Sequence, residues 1–515
     1  NLLMVRVTTR AREISVRVAL GAGRRHLFAQ LLTESLTLAA AGGALGFLMA
    51  FWSMDLLRVL LPADLPRVGD IHIDGGVIAF ALAISAATGI LFGVLPSWQA
   101  SRLNVNDALK AGSRSHTSGR RARRTQSALV VSEVCLSLVL VAGAGLLLNS
   151  FQKLRSVNPG FQTDHVLVAA VSFEAPTVGF KRVRPMYTEL LQSLRTIPGV
   201  EAAGLARAVP LEPEPSNGHF YIENRPESSG AVQAGYRVIS PGYLDVMRIP
   251  LLRGRDLRDS DTEMGAPVAV ISAEMARIYF PGEDPIGRRI WFDSFAPKEQ
   301  WLTIVGIAGD VRQTGLNQPV EPLAYISYTQ KVLPQGLLDE NLVLRTRQDP
   351  MSLVPEVREK LRAADREAAV RFETMDQVLA ASVARQRFQM QVLAGFAALA
   401  LALAAIGLYG VLSYMVTSNR AEIGIRMALG AQPRSVFQMV TGRALRLATT
   451  GAAIGLAGCL AVRSVLAKVI FGIGPSDPAT LAAAVAVLLA VALAASWFPA
   501  RRAMRVDPVS ALRED

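Results

Sequence analysis

The sequence predicts an α-helical membrane protein with six spans arranged as two tandem repeats, and a mixed α+β domain outside the membrane. Three observations predict this fold class: long uncharged apolar runs, the placement of positive charge between them, and a motif that occurs twice. The mean hydropathy of +0.31 is positive, and 51% of the 515 residues are hydrophobic. Such values are unusual for a soluble protein, whose surface must be polar.

The apolar residues are concentrated in runs that contain no charged residue. These runs are residues 36–54, 75–101, 134–152, 388–419, 447–462 and 478–500. Since crossing the hydrocarbon takes roughly 17 to 25 residues of helix, five runs are long enough to span unaided. The run 447–462 is short, but Arg446, Arg463 and Lys468 can extend their charges to the two interfaces. We therefore expect six crossings.

The positive charge of the chain follows the same topology. The formal net charge is +12, and Lys and Arg concentrate within residues 6–25, 102–124, 420–434 and 501–513. With six crossings all four segments lie on one side, which the positive-inside rule assigns to the cytoplasm. The charge thus indicates membrane orientation, and we expect no nucleic-acid partner.

The long charged stretch between the third and fourth spans is large enough to bury its own core. Strand-like runs occur at residues 166–171, 268–271, 302–307 and 342–344, and helical patterns at 183–194, 272–279 and 350–364. This alternation predicts a mixed α+β domain. Residues 211–230, rich in Glu, Pro, Ser and Gly, predict a long loop.

An internal repeat organises the membrane part. Residues 12–22 recur as residues 421–431, and each copy leads into an apolar run. After the following pair of runs, Pro96, Ala100, Arg102, Ala108 and Leu109 correspond to Pro499, Ala503, Arg505, Ala511 and Leu512. The copies share one orientation, so we expect parallel repeats. The first copy lacks the span and outer domain that precede the second, so we expect an outer domain and two spans upstream of Asn1.

These observations divide the chain into six parts. They are a cytoplasmic helix (1–26), two spans of the first repeat (27–101), a basic cytoplasmic linker (102–124), a span (125–153), the outer domain (154–387), and the second repeat with three spans (388–515), whose own cytoplasmic helix covers residues 420–431.

The duplicated motif predicts a short amphipathic helix in each copy. Its shared residues are Glu13, Arg17 and Gly21 in the first copy and Glu422, Arg426 and Gly430 in the second. The glycines occupy the position that ends a helix. Such a helix can also lie on lipid headgroups. Because lipid alone would not require the same acid and the same arginine twice, we favour a docking surface for a partner protein.

These motifs resemble the FtsX-like permease domain of MacB-type ABC transporters. Segments 240–243, 249–255, 279–287 and 304–311 resemble the periplasmic core domain of the same family. The duplication resembles the fused, ADOP-type permeases of acidobacteria. The resemblance implies a multi-pass protein of the bacterial inner membrane, with residues 154–387 in the periplasm. It also implies coupling helices around Glu13 and Glu422, and efflux or extraction of an amphiphilic or peptide-like molecule.

The energy source implied by this resemblance is ATP, hydrolysed elsewhere. The sequence has no Gly-x4-Gly-Lys-Ser/Thr loop to hold phosphates. MacB-type exporters carry an ATPase domain ahead of the first span, so this chain departs from that pattern. We therefore expect no cofactor in this chain and a separate ABC ATPase as partner. The lipid bilayer is a second partner, and a periplasmic adaptor or enzyme is a further candidate.

Candidate sites other than the coupling helices are few. Ionisable residues near spans are Glu34, Glu133 and Arg443, and for Glu34 and Arg443 we favour an interfacial position over a functional one. Asp256, Asp259, Asp261 and Glu263 follow one another in the outer domain, but they lack the spacing of a calcium loop. The five histidines are scattered, and Cys135 and Cys459 lie in apolar runs. We expect neither a catalytic nor a metal site.

Two functional alternatives remain from sequence. A transmembrane signal transducer would use the same lever to control a periplasmic partner without transport. A membrane-bound enzyme is the third class, although no catalytic constellation supports it. The run 388–419 exceeds a ~30 Å hydrocarbon core, so it either protrudes as a stalk or tilts.

Overall fold

The computed structural model describes residues 24–60, 73–101, 116–172, 180–212, 217–225, 232–262, 264–293, 300–330, 339–467 and 470–505. The chain packs as two units, one formed by residues 1–153 with 386–515 and the other by residues 154–385. Before the second unit the chain forms three long helices: α1 (Arg24–Leu60), α2 (Gly75–Ser101) and α3 (His116–Arg155).

The second unit combines eleven strands with short helices, as its sequence pattern predicts. In chain order these are β1 (Val166–Ser172), α4 (Phe180–Arg195), β2 (Val200–Ala206), β3 (Asn217–Ile222), β4 (Val232–Ile239), α5 (Tyr243–Met247), β5 (Leu251–Gly254), β6 (Val268–Ser272), α6 (Ala273–Tyr279), β7 (Arg289–Phe292), β8 (Leu302–Ala308), β9 (Leu323–Ser327), β10 (Asp339–Thr346), a 3₁₀ turn (Pro350–Leu353), α7 (Val354–Ala364), β11 (Ala369–Thr374) and α8 (Met375–Ser382).

One sheet carries this unit, and half of it closes on itself. The strands run in the order β11-β1-β10-β2-β4-β3-β7-β8-β6-β9, with β5 paired to β8. An additional parallel pairing of β4 with β9 joins the ends of the last six strands. Phe220, Phe292 and Ile304 are buried within this ring. Closure leaves these strands without a free edge, which removes a template for aggregation.

The other half is an open sheet covered by helices. Tyr187 and Leu194 of α4 and Leu361 of α7 pack in one core with Leu167 and Leu344 of the sheet. All five side chains are at most 1% exposed. Burial of an aliphatic side chain stabilises a fold by roughly 1.5–3 kcal/mol, so this layer is a major source of stability for the outer domain.

The strands predicted at residues 166–171, 268–271, 302–307 and 342–344 are present as β1, β6, β8 and β10. The prediction of one long loop at residues 211–230 was wrong, because β3 lies inside it and pairs with β4 and β7. The polar composition of this segment concealed Phe220, which is 1% exposed.

After the outer domain the chain returns to the first unit with four helices. They are α9 (Ala384–Ser418), α10 (Arg420–Ala428), α11 (Pro433–Leu466) and α12 (Pro478–Ala503). Helices α3, α9, α11 and α12 share an apolar core that includes Val134, Leu138, Leu412, Val440 and Leu488. The Ser137 hydroxyl donates to the Ala400 carbonyl at 2.9 Å and so joins α3 to α9.

Five helices of the described chain are long and apolar enough to cross a membrane. They contain the stretches Phe28–Met54, Arg124–Arg155, Ala384–Ser418, Pro433–Ser464 and Pro478–Ala503. Helix α2 coincides with the predicted span at residues 75–101, but its apolar stretch Gly75–Ile90 is shorter than the other five. Six crossings therefore stay a prediction. The run 447–462, short in sequence, belongs to a helix of 34 residues that continues through Arg446.

Candidate functional site

The second copy of the duplicated motif forms α10, a short helix between the long helices α9 and α11. Ile423 anchors this helix, because its side chain is 1% exposed and belongs to the core of the helical bundle formed by α3, α9, α11 and α12. Met427 packs against the same core one turn later. The outer face carries Ile425, which is 46% exposed, and Leu429, which is 83% exposed. A short helix is thus held firmly from one side and presents apolar residues on the other.

The two charged residues of the motif bind each other on α10. Arg426 Nη2 lies 2.6 Å from Glu422 Oε1, across one helical turn, and both side chains are more than half exposed. Glu422 lies in the first turn and Arg426 in the last, which suits the helix dipole. Such exposed pairs add only about 0.2–0.5 kcal/mol to a helix. Arg426 Nη1 also lies 3.2 Å from Met439 Sδ of α11, so the arginine is oriented from two directions.

Gly430 ends this segment in a left-handed conformation, with φ of +93°. Its N–H donates to the Met427 carbonyl, and the N–H of Ala431 donates to the Arg426 carbonyl, each at 3.0 Å. A Cβ at Gly430 would meet nothing within 4 Å. Glycine is therefore favoured here by backbone conformation, not by lack of space.

The first copy of the motif, with Glu13, Arg17 and Gly21, lies outside the described residues. The three intramembrane ionisable candidates lie in separate helices, Glu34 in α1, Glu133 in α3 and Arg443 in α11. Each is half-buried and has a polar or charged interaction.

Sequence reasoning missed a polar junction in the membrane unit. Asp477 caps α12 by accepting the N–H of Thr480 at 3.0 Å, and the Thr480 hydroxyl also bonds to this carboxylate. Asn149 Nδ2 of α3 donates to the same hydroxyl at 2.7 Å. The Asp-Pro pair at the start of α12 is a recognisable helix-start signal, but its connection to α3 is not visible in the sequence.

The acidic loop of the outer domain is held by arginine. Arg255 makes two hydrogen bonds to Asp261, at 2.8 and 3.0 Å, and the N–H of Arg258 donates to the same carboxylate. Burial raises the pKa of Asp256 to about 6, with Asp245 adding to the shift. Within the described ranges no group of three or more His, Cys, Asp or Glu side chains is arranged to hold a metal ion.

The fold and this site define a class of protein: a multi-helix membrane protein with a large extramembrane α+β domain and an exposed helix between spans. Comparison with known families agrees. Residues 1–105 and 394–508 match the FtsX-like permease C-terminal family, and residues 127–377 match the MacB-like periplasmic core domain. The chain belongs to the MacB/FtsX-like ABC transporter permease family.

Individual relatives are ABC permeases or exporters. An uncharacterised ABC transporter permease, YvrN of Bacillus subtilis, is 43% identical over 21% of this chain and 25% of its own length. The macrolide export protein MacB of Syntrophobacter fumaroxidans is 39% identical over 21% of this chain and 14% of its own length. The pyoverdine export protein PvdT of Pseudomonas putida is 26% identical over 53% of this chain.

The chain spans 42% of the length of PvdT and less of the other two. Among solved structures, the periplasmic region of MacB from Actinobacillus actinomycetemcomitans matches 44% of this chain and 96% of its own length. That match has a TM-score of 0.30 at 13% identity.

Proposed function

We propose that this chain is the permease subunit of an ABC transporter that couples a separate ATPase to its outer domain, and that it exports or extracts an amphiphilic or peptide-like substrate. The observation that carries the proposal is α10. It exposes Ile425 and Leu429 beside an exposed ion pair, while Ile423 fixes the helix to the bundle. An apolar surface with a charged margin suits docking in a groove on a partner protein.

The packing of α10 makes it a suitable point for transmitting force. A load on Ile425 or Leu429 reaches the bundle core through Ile423 and Met427, which lie on the other side of the same helix. Helix α9 connects the outer domain to α10 and runs for 35 residues without a break. At 1.5 Å per residue this is about 52 Å, more than a ~30 Å hydrocarbon core.

The relatives support export as the direction of transport. Two of the relatives described above are named for export of macrolides and of pyoverdine, and a further one for export of syringafactin. These substrates belong to those proteins. For this chain the shared family supports only the general class of an amphiphilic or peptide-like cargo.

We also propose that the two FtsX-like segments are copies of one unit. Besides the sequence motif, α2 and α12 begin alike: the N–H of Val77 donates to Asp74 at 2.8 Å, as the N–H of Thr480 does to Asp477. The spacing from Asp74 to Asp477 equals that from Pro96 to Pro499.

The test is a pull-down of the detergent-solubilised chain, scored by mass spectrometry for an ABC ATPase. We expect Glu422→Arg, and independently Leu429→Ser, to abolish recovery of the ATPase and the transport that depends on it. Both residues are exposed, so the melting temperature should stay unchanged. The matched control is Glu359→Arg, an exposed reversal in the outer domain, which should bind like the wild type.

A double reversal separates docking from helix stability. Glu422→Arg with Arg426→Glu restores an ion pair within α10, yet presents reversed charges to a partner. Recovery of the ATPase by the double variant would reduce the motif to a structural role.

ATPase binding with control of a periplasmic partner, but with no movement of any cargo, would favour the signal-transducer alternative.

A further inference from the structure

Two arginines among the described residues of the outer domain are almost fully buried, and they differ in what holds them. Arg345 of β10 is 4% exposed and donates to three backbone carbonyls, at 2.7, 3.0 and 3.3 Å. Arg237 of β4 is 5% exposed. Within the described chain its one hydrogen bond runs from Nη1 to the Tyr236 carbonyl at 3.4 Å, and its Nε has no partner. The fold thus satisfies the donors of Arg345 but not those of Arg237.

The charge of Arg237 has no partner of opposite sign in direct contact. No carboxylate of a described residue forms an ion pair with this guanidinium. Asp310 lies in the same region, but it accepts the N–H of Glu274 at 2.7 Å. A guanidinium stays protonated in proteins, so it cannot avoid the cost of burial by becoming neutral. Burial of an unbalanced charge is strongly unfavourable, and an anion held against Arg237 would remove that cost.

Tyr325 of β9 lies beside Arg237. The strands β4 and β9 are parallel, and Arg237 is paired in register with Tyr325. Ala324 and Ile326, on either side of Tyr325, are buried in the core of the ring. Tyr325 therefore points away from the ring, and Arg237 lies on the same face of the sheet. Tyr325 is 1% exposed, and its hydroxyl has no hydrogen-bond partner among the described residues.

Gln313 is the third buried polar side chain at this position. It is 5% exposed, and its Oε1 has no hydrogen-bond partner within the described ranges. Burial raises the pKa of Tyr325 well above its ordinary value, and Arg237 and Gln313 each oppose this rise. Gln313 therefore faces the Tyr325 hydroxyl, although no hydrogen bond of normal geometry joins them. The hydroxyl keeps its proton at neutral pH and is available as a donor.

The backbone that holds Gln313 is strained. Leu211 has φ of +72°, in the left-handed region that a leucine rarely adopts. Its N–H donates to the Gln313 carbonyl at 2.8 Å, and its side chain is 6% exposed. Strained residues that a fold retains are concentrated at binding sites and active sites. The strain at Leu211 therefore supports a role for this position beyond packing.

We propose that Arg237, Tyr325 and Gln313 form a binding site for a small oxyanion, a free carboxylate or phosphate ion, inside the outer domain. The guanidinium offers such an ion two parallel N–H donors together with its charge. The Tyr325 hydroxyl offers a third donor, and the Gln313 amide, turned about its terminal bond, offers a fourth.

The burial of the site decides the size of the ligand. Because Arg237 and Tyr325 are almost fully buried, the site admits a group of a few atoms and not a bulky amphiphile. An ion bound there bridges β4 and β9, the pair of strands that closes the ring. Water can also hydrogen-bond to these groups, but it carries no charge to balance that of Arg237. The inference requires neither transport nor an ATPase.

The experiment is thermal unfolding of the full chain in detergent micelles. Sodium phosphate or sodium acetate replaces sodium chloride stepwise at constant ionic strength. A ligand that binds only the folded state raises the melting temperature, and we expect a rise that saturates. Saturation with phosphate alone would identify a tetrahedral ion, and saturation with acetate alone would identify a carboxylate. Isothermal titration calorimetry of the same samples should give one site per chain.

Arg237→Met removes the charge and keeps a long apolar side chain. We expect the saturable rise to disappear. The melting temperature without phosphate or acetate should stay the same or increase, because an unbalanced buried charge has been removed. Tyr325→Phe removes only a hydroxyl and should weaken anion binding about tenfold. This conservative variant tests the site even if Arg237→Met does not fold.

Arg345→Met is the matched control, since Arg345 is equally buried but donates to carbonyls. It should lower the melting temperature and keep the saturable rise. Phosphate also stabilises proteins by exclusion from their surface, an effect that every variant shares. A rise of that kind alone, or a saturable rise that Arg237→Met retains, would overturn the proposal. A lower melting temperature of Arg237→Met with no anion effect in the wild type would assign Arg237 a purely structural role and overturn it too.

Discussion

The pairs α1–α2 and α11–α12 have similar sequences but different surroundings. Both pairs carry glycines at matching positions in the first helix and an aspartate cap on the second. Yet a Cβ at Gly451 would lie 2.6 Å from a valine of α3, whereas one at Gly42 would meet no described atom within 4 Å. The contrast teaches that a small-residue pattern specifies a surface able to receive a helix, while occupation depends on which helix is available.

The largest expected effect is on the filled groove, the surface of α11 and α12 that receives α3. Gly451→Leu places a side chain where Val134 Cγ1 and the Val131 carbonyl already lie within 3 Å of the Cβ position. Since α3 must move away, we expect destabilisation of about 1–3 kcal/mol or more, or failure to accumulate in the membrane. Unfolding in mixed detergent and SDS, followed by circular dichroism, measures this.

The matched substitution is Gly42→Leu. It enters open space, so its unfolding curve should coincide with that of the wild type. Equal destabilisation of Gly42→Leu and Gly451→Leu would mean that the space beside Gly42 is occupied within the chain, and the contrast between the pairs would be lost.

A smaller effect is expected from the polar junction of the filled groove. Thr480→Val removes the hydroxyl that accepts from Asn149 at 2.7 Å and leaves the helix cap at Asp477 in place. Hydrogen bonds between membrane helices contribute about 0.6 kcal/mol on average, with about 1.7 at most, so we expect a loss of that order.

The reciprocal change, Val77→Thr, sharpens this test. Val77→Thr gives α2 the threonine that α12 carries at position 480. Since no described residue stands beside it as Asn149 stands beside Thr480, we expect no gain of stability. The same SDS titration serves both variants, and the double variant of Thr480→Val with Asn149→Leu should lose little more than either single one. Additive losses would show that the two side chains act independently.

The smallest expected effect is on the stability of the outer domain. It provides a comparison for the effects on the two helix pairs. Burial raises the pKa of Asp256 to about 6 from its ordinary value of 3.8. The folded outer domain then binds more protons than the unfolded chain between these values, so its stability falls as pH rises from about 4 to 6. Partial exposure of the carboxyl screens this effect and keeps it small.

Asp256→Asn should remove this slope and leave the outer domain slightly more stable at neutral pH. Asp284→Asn is the control of opposite sign, because the N–H of Ile286 and then Arg253 lower the pKa of that carboxyl. Asp284→Asn should destabilise the outer domain at pH values above the pKa of this carboxyl in the unfolded chain. The loss of stability should vanish on acidification. Thermal melts of the full chain from pH 7 to below pH 4 measure both slopes. An unchanged slope in Asp256→Asn would contradict the burial argument.

The candidate site was largely readable from sequence because its signals are local. The pattern of residues 421–431 predicts a short helix terminated by Gly430, and α10 ends at Ala428, two residues before this glycine, whose φ is +93°. The ion pair between Glu422 and Arg426 follows from their spacing of one turn. Which face of α10 is anchored was not readable, since Ile423 and Ile425 are equally apolar and only the bundle core distinguishes them.

The sequence by itself determined which segments form long apolar helices, where four of the strands lie, and where several of these elements begin and end. Those properties arise from runs of apolar residues, periodicity, and capping residues such as Asp477, all of which act over a few neighbouring positions. Only the tertiary structure decided that β4 pairs with β9 to close the ring, and that α3 enters the groove of α11 and α12. Residues far apart in the chain meet at these contacts, and in lipid a small-residue surface accepts several partners with similar energy, so no local pattern selects one.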